Sequence, residues 1–87
     1  MKWWAIMPTP IVLPDLGTAP VRLSLWFSKP GDLVFEGDRV VEVVVAGATF
    51  DVSAPTTGRL IERYAWPRDP LTPGQVLGVM ESEKQTV

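Results

Sequence analysis

The sequence predicts an all-β fold, and three observations carry that expectation. Apolar and polar residues alternate with period two over several short runs, the pattern of strands with one buried face. Nine prolines and seven glycines are spread along 87 residues, which suits short strands joined by tight turns and disfavours long helices. The turn residues also recur. Gly31-Asp32-x-Val34-x-x-Gly37-Asp38-x-Val40 aligns with Arg68-Asp69-x-Leu71-x-x-Gly74-Gln75-x-Leu77 at one offset of 37 residues. Two copies of one strand-turn-strand unit, each with an apolar face to cover, would close into a small flattened barrel.

Residues 1–10 read as an extension, because Pro8 and Pro10 hold the chain extended and lack the N–H of a ladder bond. A short strand at 11–13 stops at Pro14-Asp15-Leu16-Gly17. Residues 21–27 alternate, with Val21, Leu23 and Leu25 set against Arg22, Ser24 and Trp26. Lys29-Pro30-Gly31-Asp32 and Glu36-Gly37-Asp38 are turns. The valine-rich run 40–45 is the strongest strand signal, Ala46-Gly47 reads as a two-residue hairpin loop, and 48–53 returns. After a turn at 54–58 come strands at 59–64 and 76–80, with turns at 67–70 and 73–74. The polar segment 82–87 reads as a fraying tail, leaving 11–81 as the domain.

Composition narrows the function. The chain has no cysteine and no histidine, so thiol chemistry is excluded, and the commonest metal ligand and near-neutral general base are missing. Its formal charge is -2 and its eight basic residues form no run, which argues against nucleic acid. The apolar start, Trp3-Trp4-Ala5-Ile6-Met7, is too short for a signal peptide before Pro8, and the run 40–50 is too short to span a bilayer. The expectation is a soluble, cytoplasmic protein. Asp15, Asp32 and Asp38 adjoin proline or glycine, where aspartate serves turns; with Asp51 and Asp69 they form no dense cluster, so no catalytic or metal site is expected.

Leu13-Pro14-Asp15-Leu16-Gly17, Lys29-Pro30-Gly31-Asp32-Leu33-Val34, Gly37-Asp38, Glu42-Val43, Ala54-Pro55 and Gly58 together resemble the biotinyl/lipoyl domain family. The likeness is nearest to the lipoyl domain of the acyltransferase component of 2-oxo acid dehydrogenase complexes, in its variant with a short loop after the first strand. It covers the chain from Ile11 to Glu81. It implies two four-stranded antiparallel sheets related by a quasi-two-fold axis. It also implies a hairpin after Glu42-Val43 that carries an acidic residue followed by the lysine to which lipoate or biotin is attached. Here those two positions are Ala46 and Gly47, and no lysine lies between Lys29 and Lys84.

No cofactor is therefore expected. Lys29 reads as a solvated residue beside a turn. Trp26 and Trp66 read as core or sheet-face packing, whereas Trp3 and Trp4 either cover a barrel edge or contact another protein. The expected function is that of an unlipoylated, non-enzymatic interaction or scaffold module with a protein partner. Its candidate contacts are Val44, Val45, Ala46, Gly47, Trp3 and Trp4. The resemblance leaves two alternatives, a carrier domain of an acyltransferase component and an adaptor-like domain of an efflux or secretion assembly.

Overall fold

The structure is a computed structural model that describes residues 3–17 and 20–86, with side chains at 8–17 and 20–82. The described residues form eight strands: β1 (Trp3–Val12), β2 (Val21–Trp26), β3 (Leu33–Val34), β4 (Arg39–Val45), β5 (Ala48–Ser53), β6 (Gly58–Arg63), β7 (Pro70–Leu71) and β8 (Val76–Thr86). They build two four-stranded sheets, ordered β1-β8-β6-β3 and β5-β4-β2-β7. All pairings are antiparallel. The all-β barrel of two four-stranded antiparallel sheets expected from the sequence is the one found.

Moving each strand four places along the order exchanges the two sheets, which is the quasi-two-fold relation. The hydrogen bonds obey it residue by residue. Gly31 N–H donates to Leu60 O at 2.8 Å, and Arg68 N–H to Leu23 O at 2.9 Å. Asp32 Oδ2 accepts from Lys29 N–H, and Asp69 Oδ2 from Trp66 N–H. Arg22 Nη1 donates to Arg68 O and Arg59 Nη1 to Gly31 O, so an arginine of each copy clasps a turn of the other. Gly31 has φ 95° and its mate Arg68 has φ 76°, a left-handed arginine in a position made for glycine.

Between the sheets lies one core of matched residues. Leu23 with Leu60, Val34 with Leu71, Val40 with Leu77, and Val43 with Met80 are all buried. Fully burying a side chain of this size contributes about 1.5–3 kcal/mol.

Two sequence expectations need correction. The alternation over 21–27 put Leu25 inside and Trp26 outside. The register shifts between Leu23 and Leu25, and this bulge reverses the parity of the rest of the strand. Leu25 is 41% exposed, while Trp26 packs on the core. Its copy in the other sheet shows the same shift, between Leu60 and Glu62, and Ile61 is turned outward there. The second correction concerns the ends. The extension pairs with the tail from Trp3↔Thr86 through Met7↔Ser82 and with the preceding residues through Pro10↔Val79. Pro8 and Pro10 are tolerated because β1 is an edge strand and residues two apart share one side, so the missing N–H groups can face away from the sheet. The expected packing of Trp3 or Trp4 on the barrel lies outside the described residues, since only their backbone is described.

The reversed parity creates a close contact between the sheets. Trp26 crosses to the opposite sheet, where its indole N–H donates to Ala65 O at 2.9 Å. The mate of Trp26 is Arg63, whose guanidinium lies 5.9 Å from the Trp26 ring and 5.5 Å from that of Trp66. The Nε of Arg63 is buried without a hydrogen-bond acceptor, so these aromatic faces are its compensation. Gly78 makes room for the arrangement. A Cβ there would sit 2.7 Å from Glu62 O and 3.1 Å from the Trp26 ring. Gly78→Ala is therefore expected to destabilise the protein by about 1–3 kcal/mol in urea unfolding monitored by tryptophan fluorescence. An unchanged midpoint would show that the Trp26 contact is not tight.

Candidate functional site

The hairpin between β4 and β5 ends in the expected two-residue turn. Val45 pairs with Ala48, and Ala46 and Gly47 have φ of 51° and 79°. Two successive positive φ values define the turn whose twist matches that of the flanking strands. Gly47 adopts its value freely, whereas Ala46 carries a Cβ into the left-handed region.

The strand period decides what the tip exposes. Val43 is fully buried, and Val45, on the same face, packs against the core. Val44 points the other way and is half-buried. The candidate contact surface at Val44, Val45, Ala46 and Gly47 is thus narrowed, because Val45 packs against the barrel core. Ala46, Gly47, Ala48 and Thr49 are exposed. Sequence reasoning missed Phe50, which pairs with Val43 on the core-facing side of the edge strand β5 and yet is 43% exposed. The signal was available: a turn at 46–47 forces that pairing.

The other singled-out residues lie elsewhere. Lys29 is exposed in the turn after β2, at the end of that strand far from the hairpin tip. Trp66 is 51% exposed and stacks on Arg63, rather than lying within a sheet. Asp15, Asp32, Asp38 and Asp69 each accept a backbone N–H within their own turn. Asp51 forms an ion pair with Arg39 at 3.9 Å, and Arg39 in turn lies over the Phe27 ring at 4.3 Å. The described residues hold no group of three or more acidic side chains placed to share a metal ion. The concavities are shallow. One is bordered by Phe27, Leu33, Asp38 and Arg39, and a smaller apolar one by Pro8, Ile61 and Val79.

The sequence is similar to that of known proteins. The family model described as "Biotin-requiring enzyme", for the biotin/lipoyl domain, matches residues 9–80. The lipoamide acyltransferase component of the branched-chain alpha-keto acid dehydrogenase complex of Pseudomonas putida is 32% identical over 75 residues, covering 84% of this chain. The match spans only 18% of that much longer protein. No solved structure matches.

Replacing Ala46 by asparagine, which tolerates the left-handed region, is expected to raise the unfolding free energy by about 0.5–1 kcal/mol, read as a higher urea midpoint. A lower midpoint would mean that the Ala46 methyl makes a contact on which the turn depends.

Proposed function

The chain belongs to the biotin/lipoyl domain family, and from that premise we propose that it is a member without a prosthetic group, acting as a non-enzymatic interaction or scaffold module. One observation carries the reading: the two-residue turn at the β4–β5 tip is Ala46-Gly47. Lipoate and biotin are joined to protein through an amide on a lysine ε-amine. A glycine at the tip offers no amine, and its alanine neighbour offers no acidic group.

Two of the three lysines, Lys29 and Lys84, support the same reading by their positions. Lys29 is at the opposite end of β2. Lys84 is the quasi-two-fold mate of Gly47, but the chain does not turn there. It continues as a strand, with Lys84 paired to Ala5. A carrier reading is favoured by the name of the relative in Pseudomonas putida, a lipoamide acyltransferase component. It requires an attachment point that the tip does not provide.

Intact-mass spectrometry after co-expression with a lipoate or biotin ligase and excess cofactor tests the proposal. The expected result is the unmodified mass for the wild-type chain. The double variant Ala46→Asp, Gly47→Lys is expected to gain a lipoyl increment on at least part of the molecules, because the tip is solvent-facing and lysine needs no burial there. A lipoyl or biotinyl increment on the wild-type chain, mapped to Lys29, Lys84 or any other residue, overturns the proposal.

A further inference from the structure

The outer face of the β5-β4-β2-β7 sheet carries an arginine and a glutamate that no ion pair among the described residues takes up. Two adjacent cross-strand pairs point away from the core, Arg22↔Val44 and, beyond the bulge, Leu25↔Glu42. Their inward neighbours Leu23 and Val43 are buried, which fixes the outward direction of the first pair. The bulge fixes that of the second. The four side chains make a quadrilateral with Arg22 and Glu42 on one diagonal and Leu25 and Val44 on the other.

Neither charge is matched by an opposite charge among the described residues. Arg22 donates to a backbone oxygen, Arg68 O, and the one ion pair among the described residues is Arg39–Asp51. Glu42 is half-buried and sits directly opposite Asp51, a like charge, which is an unfavourable cross-strand pair. Asp51 has Arg39 to offset this, and Glu42 has no described cation within ion-pair distance. Leu25 beside it is 41% exposed.

We propose that this face docks a second copy of the chain, through a two-fold axis that runs along the Leu25–Val44 diagonal. That operation is the one that makes the surface complementary to itself. It sets Arg22 of each copy against Glu42 of the other, twice over, and brings the apolar corners of the two copies together between the two ion pairs. The isologous arrangement is closed, so it ends at a dimer. The two sheets cross at a large angle, which falls toward the orthogonal class of sheet packing. The footprint is a few side chains wide, so the dimer belongs to the weak end of interface sizes. The face is separate from the hairpin tip, and the inference does not depend on whether the tip is modified.

Sedimentation equilibrium of the purified chain, up to about 1 mM protein because small interfaces associate weakly, tests it at low and high salt. The wild type is expected to approach the dimer mass with rising concentration, and less so in high salt. Arg22→Glu alone and Glu42→Arg alone are each expected to be monomeric over the same range, because each creates like charges across the axis. Mixing these two variants is expected to restore the dimer mass, since every facing pair is then opposite in sign. The mixture also guards against misfolding, because a variant that has lost its fold cannot be rescued by the other. A wild type that stays monomeric over the whole range overturns the proposal. So does dimerisation that either single variant retains, or a mixture of the two that remains monomeric.

Discussion

Neither half of this chain can cover its own apolar surface. β1 and β3 of the first copy complete their sheet with β6 and β8 of the second, and β2 and β4 complete theirs with β5 and β7. Each copy therefore contributes two strands to each layer, and the core exists only when both are in place. The exchange extends to the turns, where Arg22 and Arg59 each reach a backbone oxygen of the other copy. A small domain buries a limited share of its surface, so stability has to come from interlock rather than bulk. The paired bulges, the matched turn aspartates and the shared core all arise from this mutual completion.

Much of that was legible in the residues. The 37-residue offset anticipated the quasi-symmetry, and the hairpin with its 46–47 turn falls where valine richness and Ala46-Gly47 put it. What escaped was the local break in period. A bulge adds one residue without a compositional mark, so nothing at Ser24 announced that Leu25 would face out and Trp26 in. The pairing of the two ends was hidden for a different reason. Prolines at 8 and 10 argue against a strand in general but not against an edge strand, and strand order is a tertiary fact. The same limit applied to the tip, where composition counted three valines but only the register could show that Val43 and Val45 face inward.

The departures from symmetry carry the individuality of the molecule. Trp26 is matched by Arg63, and Val41 by Gly78, so a large side chain in one copy occupies the space a missing one leaves in the other. Gly47 is matched by Lys84, where one pole closes in a tight turn and the other stays a paired ribbon. The family likeness lies in the shared frame, while the chemistry of this chain lies where its two copies differ. At the tip the difference sets a glycine in a tight turn against a lysine in a paired strand. On the outer sheet face it leaves an arginine and a glutamate unmatched, close to a leucine and a valine.

The pairing of Trp3 with Thr86 has a topological corollary. Partners in an antiparallel ladder have Cα atoms about 4.5–5.5 Å apart, so the backbone enters and leaves the barrel almost at one point. A fold with that geometry behaves like a bead on a string: it can sit within a surface loop of a larger polypeptide without forcing the flanking segments apart. For the same reason, linking the two ends and cutting the backbone at 46–47 would yield a circularly permuted chain with every strand neighbour preserved.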